Sequence, residues 1–318
     1  MSSNSHDIQA CINDHQTILI TIHRDPDIDA IGSACALALA LINLKKTPII
    51  WCADNIPQSD QWIPHASSII NAIPDNLNYS LIITLDCSNI DRIKDHHLLD
   101  THRPIINIDH HQDNTRFGGI NLVENISSVG ELMTKLMNQW HWEITPDIAT
   151  CLYSAISFDT GHFRHNNTTE NTFSVASELL KKGVNNAQIA THIFGTKSLN
   201  YYQTIEKGLH HTTFDPELNY VLTQIPNGQD DTYSIIDFIR QWEHAEVAVI
   251  LRELEPKLTK VSLRSKTFFD VSSFSHQFGG GGHKHAAGIR FNMSLSESTQ
   301  QLESALKHAL SHRTYQQR

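Results

Sequence analysis

ILITIHRDPDIDAIGSACALALALI, residues 18–42, decides the fold. A short apolar run of β-type residues passes directly into a segment rich in Ala and Leu with helical periodicity. His23, Asp25, Asp27 and Asp29 crowd the junction. A strand, a polar turn and a helix are the first half of a βαβ unit. A helix entrance needs at most one capping acid, and neighbouring carboxylates repel one another. So many acids in seven positions point to something cationic held among them.

Working outward, the pattern repeats. PIIWCAD (48–54), SLIITLD (80–86) and PIINID (104–109) read as further strands, and NIDRIKDHHLLDTH (89–102) as a polar helix between two of them. Short apolar runs separated by helical segments indicate a parallel sheet. The texture then turns helical, from SSVGELMTKLMNQW (127–140) through PDIATCLYSAIS (146–157) and TTENTFSVASELLKK (168–182) to NNAQIATHIF (185–194). After about residue 212 it changes again: LNYVLTQIP, AEVAVILREL and LTKVSLRSK are strand-like, DTYSIIDFIRQW and SESTQQLESALKHAL helical. The expected organisation is an α/β domain over 1–195, a helical connector over 196–212 and a smaller α/β domain over 213–318.

The bulk numbers agree with that organisation. A chain of 318 residues is long enough for two cores, and 40% hydrophobic with 18% charged residues is ordinary for a globular protein. A net charge of −10 argues against a broad basic surface for long nucleic acid. A small anionic substrate stays compatible, because a bound cation reverses the local field. The five cysteines are scattered with no C-x-x-C pair and read as small buried hydrophobes in a reducing compartment. The polar N-terminus lacks a secretory pattern, and the apolar run around Ala34 to Leu44 is too short to span a bilayer. A cytoplasmic protein with no membrane partner is the expectation. Of the 21 histidines, His96, His97, His141 and His312 lie in polar contexts that need no special role.

In an open parallel sheet, ligands collect beyond the carboxyl ends of the strands. His23, Asp27 and Asp29 follow the first strand, Asp86 ends the third, and Asp109, His110 and His111 end the fourth. Asp159 sits where an apolar segment meets a Gly turn. Singly, each has an ordinary explanation as a cap or a turn former. Together they form a set of oxygen and nitrogen donors suited to Mn²⁺, Mg²⁺ or a similar divalent ion.

FGGGGHKHAAG (278–288) answers a different need. Gly279 to Gly282 clear side chains so that backbone N–H groups can approach an anion, with a helix start expected next. No G-K-[ST] follows, so it is not a Walker motif. Gly280, Gly281 and Gly282, with Arg264, Ser265 and His283, are expected to converge on one phosphate or nucleotide, and Arg164 with His165 to add phosphate contacts.

HRDPDIDAIGS, LDCS, NIDHH, FDTGHF and GGGGHKHAAG, in that order, resemble the motif series of the DHH phosphoesterase family with a C-terminal DHHA1 domain. ELEPKLTKVSLRSK, SSVGEL and DTGHFRHNNTT are similar to its NrnA-like branch, the oligoribonucleases (nano-RNases) with pAp phosphatase activity. The resemblance implies a cleft between two lobes and two divalent cations, Mn²⁺ first, with Mg²⁺ or Co²⁺ as alternatives. His23, Asp27 and Asp86 would hold one ion; Asp29, Asp86, His110 and Asp159 the other, with Asp86 bridging. Asp109 would orient a ligating imidazole, while His111 would contact the phosphate or protonate the leaving oxygen. Asp25 stays outside this set. The implied activity is attack of a metal-activated water on phosphorus in short oligoribonucleotides and in 3′-phosphoadenosine 5′-phosphate (pAp). The alternatives are a phosphodiesterase for linear or cyclic dinucleotides such as pGpG or pApA, and a silent nucleotide sensor. The expected partners are short RNA or nucleotides and a second copy of the chain, not long duplexes. Ile28 and His285 depart from the family pattern without removing a ligand.

Overall fold

The computed structural model describes residues 3–74, 77–99, 102–197, 199–226 and 233–314. The chain divides into two units, Met1–Thr196 and Lys197–Arg318.

In the first unit, β1 (Thr17–Thr21), β2 (Thr47–Trp51), β3 (Leu81–Leu85), β4 (Ile105–Asp109) and β5 (Ile120–Val123) form a sheet of order β2-β1-β3-β4-β5. Every pairing is parallel. Such sheets are covered on both faces, and β3 accordingly has all five residues buried. The chain winds one way from β1 to β2 and the other way from β1 to β3, so a crevice opens at the carboxyl edge between β1 and β3.

The covering helices are α1 (Ser3–Asp14), α2 (Ile28–Asn43), α3 (Val129–Gln139), α4 (Pro146–Asp159), α5 (Glu170–Lys181) and α6 (Asn186–Ala190), with a π turn over Thr191–Gly195. α2 is buried around almost its whole circumference, which its Ala-rich sequence permits. It meets α4 where a Cβ on Gly32 would stand 2.6 Å from the Cys151 carbonyl. α3 meets the same helix through Gly130, where a Cβ would stand 2.5 Å from the Ala155 Cβ. Two glycines thus let α2 and α3 close on the middle of α4. Cys35, Cys52, Cys87 and Cys151 are buried, and burial pushes the Cys35 thiol up to about 12.

The polar helix expected over 89–102 is replaced by two 3₁₀ turns, Ile90–Arg92 and His96–Leu99. Asn89 caps the first from an extended backbone, and Asp95 at φ 58° interrupts the path to the second. Asp100 and Thr101 lie outside the described residues, as do Asp231 and Thr232 at the start of another expected helix.

The second unit begins with α7 (Leu199–His210), the expected connector, which packs on β7 and α8. β6 (Thr212–Asp215), β7 (Tyr220–Ile225), β8 (Val247–Glu255), β9 (Leu258–Ser265), β10 (Gly281–His283) and β11 (Ala286–Phe291) make a sheet of order β10-β11-β9-β8-β7-β6. Only β7–β8 is parallel among these described pairings. Leu302, Leu306 and Leu310 of α10 (Leu295–Thr314) cover one face with α9 (Val271–His276); Ile235, Ile236 and Ile239 of α8 (Tyr233–Ile239) cover the other.

The helix start expected after the glycine run is a hairpin instead. Gly281–His283 pairs antiparallel with Ala286–Gly288. A Cβ on Gly280 would overlap the Gly288 carbonyl, and Gly282 has φ 141°, so both glycines serve the close passage of strands.

Gly32→Ala should force α2 away from α4. The expected cost is about 1–3 kcal/mol, typical of overpacking, read as a lower midpoint in chemical denaturation. An unchanged midpoint would show that the helices have slack there.

Candidate metal centre

Four chain segments deliver the donors, each for a local reason. After β1 the chain leaves the sheet at His23, turns through Asp25 (φ 51°) and enters α2 with Asp27 as its N-cap, Oδ1 accepting from Ala30 N at 3.1 Å. Asp25 N–H donates to Asp54 Oδ2 at 3.1 Å, a turn contact. Asp29, one position into α2, is completely buried. Its Oδ2 accepts from Val129 N at 2.8 Å, and its Oδ1 from Gly130 N at 2.9 Å and Ser33 Oγ at 3.2 Å. The carboxylate therefore sits on the positive N-terminal end of α3.

Asp86 leaves β3 at φ 58°, a region that Asp tolerates better than most residues. Its Oδ2 lies 3.4 Å from His23 Nε2, and its Oδ1 lies 3.5 Å from His110 Nε2. Oδ2 thus faces His23, whereas Oδ1 faces His110 and also His111, whose Nδ1 lies 3.4 Å away. His23 Nε2 is also 3.8 Å from Asp27 Oδ2. His110 Nε2 is 3.8 Å from Asp29 Oδ2 and 3.3 Å from Asp159 Oδ2, which the last residue of α4 supplies. These distances exceed metal–ligand bond lengths but leave room for a cation within each group. The donors cluster as His23–Asp27–Asp86 and Asp29–His110–Asp159.

Hydrogen bonds outside the cage prepare the imidazoles. His23 Nδ1 faces the Arg24 carbonyl at 2.7 Å and His110 Nδ1 the Ile126 carbonyl at 3.1 Å. A carbonyl only accepts, so Nδ1 carries a proton and Nε2 is the ring atom left facing the cage, free to give up its own proton in favour of a cation. Asp86 Oδ1 is buried and accepts no hydrogen bond. An orphaned carboxylate oxygen beside inward-facing ring nitrogens is what a cation would satisfy. The donors are oxygen and imidazole nitrogen with no thiolate, which suits Mn²⁺ or Mg²⁺.

The charges strain against one another. Burial raises the Asp29 carboxyl to about 7, assisted by the Asp86 charge and opposed by His110. Burial and Asp29 together raise Asp159 well above the carboxylate range. Asp86 goes the other way: burial would raise it, but His110 and His23 hold it well below. His23 and His110 are raised despite burial, by Asp27 and Asp86 and by Asp86 and Asp159.

Asp109 was expected to orient a metal-ligating ring. It takes the neighbouring one. His111 Nδ1 donates to Asp109 Oδ1 at 2.8 Å, while His110 uses the Ile126 carbonyl. Successive side chains leaving a strand point in opposite directions, so Asp109 shares a side with His111 rather than His110. Asp109 also accepts from His110 N at 2.8 Å and from Asn114 Nδ2 at 2.5 Å. Asn114, the last residue of DHHQDN, folds back on the strand end, a role that no local signal in the sequence marks.

The turn after Asp159 is unusual. Gly161, His162 and Phe163 have φ of 55°, 59° and 63°, three left-handed residues in succession. Asn167 Nδ2 and His165 Nδ1 both reach the Asp159 carbonyl, at 3.2 Å each. Arg164 donates from Nε to the Gly161 carbonyl at 2.6 Å and is exposed. His165 thus fixes the turn that carries Asp159.

In the second unit, the expected convergence of Arg264 and Ser265 is corrected. β9 alternates strictly: Thr259, Val261, Leu263 and Ser265 are buried, whereas Arg264 is on the opposite face. Ser265 Oγ donates to the Phe269 carbonyl at 2.6 Å and meets His285 Nδ1 at 2.9 Å. Arg264 pairs in register with Ala286, and exposed His283 with the same residue from the other side. Gly281 and Gly282 are half-buried within β10.

A carboxylate–imidazole cage at the switch point of a parallel sheet, followed by a mixed-sheet domain with a glycine hairpin, defines a two-domain α/β protein with a donor cluster able to hold a metal ion. The DHH family N-terminal domain matches residues 17–156 and the DHHA1 domain residues 219–312. The chain belongs to the DHH family with a C-terminal DHHA1 domain. It is 29% identical to the bifunctional oligoribonuclease and PAP phosphatase NrnA of Thermus thermophilus, over 94% of this chain and 91% of that one. It is 28% identical to the probable bifunctional oligoribonuclease and PAP phosphatase NrnA of Streptococcus mutans, over 94% and 98%. A solved exopolyphosphatase-related protein from Bacteroides fragilis shares the fold, with a TM-score of 0.88 at 24% identity, over 98% of this chain and 97% of that one. Among the described residues, no helix is long and apolar enough to cross a membrane.

The pKa directions set how the metal-free protein responds to pH. A carboxyl raised to about 7 binds its proton more tightly folded than unfolded. Its contribution is full below the unfolded value of about 4 and is lost as pH rises toward 7. Asp159, His23 and His110 act in the same direction; Asp86 opposes them only in stronger acid. Thermal stability in a chelator should fall between pH 6 and 8, and the gain on adding Mn²⁺ should be larger at pH 8. A gain independent of pH would count against binding to these residues. Asp86→Asn, which tolerates the same backbone, should weaken Mn²⁺ binding by about 100-fold or more, exceeding the loss of an outer-shell partner. Calorimetric titration gives the answer directly.

Proposed function

We propose that this protein is a metal-dependent phosphoesterase that hydrolyses short oligoribonucleotides to mononucleotides and removes the 3′-phosphate of pAp. One observation carries the reading: Asp86, buried and with one oxygen unsatisfied, belongs to the His23–Asp27–Asp86 group and comes within 3.5 Å of His110 in the Asp29–His110–Asp159 group. That arrangement suits two divalent ions sharing one carboxylate, with Mn²⁺ favoured by the mixed oxygen and imidazole set. Similarity to the two NrnA proteins over nearly the whole chain supports the substrate class.

His23, Asp27 and Asp86 would hold one ion; Asp29, Asp86, His110 and Asp159 the other. When bound there, such ions would supply charge to neutralise phosphate oxygens and would acidify a water molecule enough to serve as the nucleophile for P–O cleavage.

The chain's own residues do the rest. Asp29, fixed by two backbone N–H groups, cannot swing away as charge changes beside it. His111 is held through Nδ1 by buried Asp109, which sets its tautomer and leaves Nε2 to contact a phosphate oxygen or pass a proton to the leaving oxygen. Arg264, half-buried on the face of β9 opposite Ser265, supplies a guanidinium able to take a phosphate bidentately, with His283 and the β10 backbone as its companions.

The test is Mn²⁺-dependent hydrolysis of a 5′-labelled RNA ladder, with pAp in parallel. Fast cleavage of the shortest RNAs and of pAp is expected. Turnover confined to one dinucleotide would move the assignment to phosphodiesterase, and binding without turnover to a sensor. His111→Asn should lower kcat about 10²–10⁴-fold, the range of general acid–base catalysis, with Mn²⁺ content unchanged. Loss of metal along with activity would make His111 a ligand instead.

A further inference from the structure

One short segment, residues 126–130, lies behind every donor of a single group. The Ile126 carbonyl accepts from His110 Nδ1 at 3.1 Å. Val129 N and Gly130 N donate to Asp29 at 2.8 and 2.9 Å. The Ser127 carbonyl accepts from Asn167 Nδ2 at 3.0 Å, and the same amide donates to the Asp159 carbonyl at 3.2 Å. Asp29, His110 and Asp159 are the three members of one donor group. The donors of the other group take their outward contacts elsewhere. His23 Nδ1 meets the Arg24 carbonyl, Asp27 accepts from Ala30 N, and Asp86 N donates to the Ile108 carbonyl. The segment therefore bears on one group and not on the other.

Glu131 holds that segment in shape. Ser128 caps α3, and the S-x-x-E spacing makes Glu131 the residue that would reach back to the N-cap N–H in a capping box. Its buried carboxylate is engaged one residue earlier instead. Oε2 accepts from Ser127 Oγ at 2.5 Å and from Thr172 Oγ1 at 2.8 Å, and Oε1 lies 3.3 Å from the Lys135 ammonium. Thr172 belongs to the capping box that opens α5. One oxygen thus ties the residue before the α3 cap to the first turn of α5. A carboxylate removed from water needs such donors to replace its solvation, and in taking them it fixes where they stand. Ser127 and Thr172 are themselves buried. The Ser127 backbone cannot turn without breaking this bond, so the carbonyls of residues 126 and 127 stay aimed at His110 and Asn167.

We propose that Glu131 is the positioning residue for the ion that Asp29, His110 and Asp159 would hold, acting through Ser127 and the carbonyls of residues 126 and 127 rather than on the metal itself. This rests on the two-ion reading above and deepens it: the two ions differ in what supports them, and one can be loosened without the other. The competing role, a staple between α3 and α5, would act through the Thr172 contact and not through Ser127.

Two measurements on the full chain test it. The first needs no metal. In a chelator, nitrogen-edited NMR of the imidazoles shows whether the Nδ1 proton of His110 is protected from exchange, with His23 as the internal reference; His110→Gln and His23→Gln assign the two signals. Glu131→Ala should lose the His110 signal and keep that of His23. Glu131→Gln, which retains an accepting oxygen, should restore it. The second measurement is calorimetric titration with Mn²⁺. Wild-type protein should bind two ions. Glu131→Ala should weaken one of them by about 10–100-fold, the usual loss for an outer-shell partner, and leave the other unchanged. Ser127→Ala should repeat the selective loss, and carries the test if Glu131→Ala does not fold. Thr172→Val should lower the thermal midpoint and leave both affinities alone. Equal losses at both sites, an unaltered His110 signal, or the same pattern of affinities in Ser127→Ala and Thr172→Val would overturn the positioning role. A wild type that takes up a single ion would instead defeat the two-ion reading, and the His110 signal would then decide for or against Glu131 by itself.

Discussion

Asp29 carries the arrangement on which the metal centre depends. A carboxylate wholly removed from water is among the costliest groups a protein can bury, unless hydrogen bonds and positive charge replace the lost solvation. Here the replacement comes from another helix. Val129 and Gly130 turn their N–H groups onto it from the first turn of α3, and Ser33 adds a third donor from its own helix. A group that is expensive to bury thereby ties α2 to α3, a hundred residues apart in sequence. The glycines that let both helices approach α4 are the steric side of the same bargain: without them neither the carboxylate nor Asp159 would reach its place.

The rest of the site extends the same logic. Each donor is fixed by a contact directed away from the cage: Arg24 and Ile126 carbonyls for the two histidines, an N-cap bond for Asp27, and a tight left-handed turn braced by His165 and Asn167 for Asp159. Asp86 differs in that one oxygen is left without a hydrogen bond. The cage is stiff wherever its members are anchored and unsatisfied where they meet, the arrangement expected of a site prepared for a cation rather than one closed by protein contacts.

Much of this was legible in the chain because the signals were local. Strand ends in a parallel sheet can be read from short apolar runs, and the acids and histidines at those ends came with them. What was missed depends on pairing between distant segments. The glycine run looked like a helix start, since nothing local shows that Gly280 must pass beneath the Gly288 carbonyl. Asp109 was assigned to the wrong ring because His110 and His111 are neighbours, and only the pleat decides which one shares its side. Ser265 is instructive in another way: the alternation of LTKVSLRS already placed it in phase with Thr259, Val261 and Leu263, on the core face, and away from Arg264. The period of two held the answer, but the motif drew attention to adjacency instead.

The donors of the cage are spread from His23, just after the first strand, to Asp159, at the end of α4. Between them lie nearly all of the parallel pairings, which are slow to form because each closes a long loop before any contact is gained. The Asp29–His110–Asp159 group, by contrast with His23–Asp27–Asp86, exists only once β4, α3 and α4 are in place. An ion held there would bind the finished domain and not a partly folded chain, and so would draw the folding equilibrium toward it.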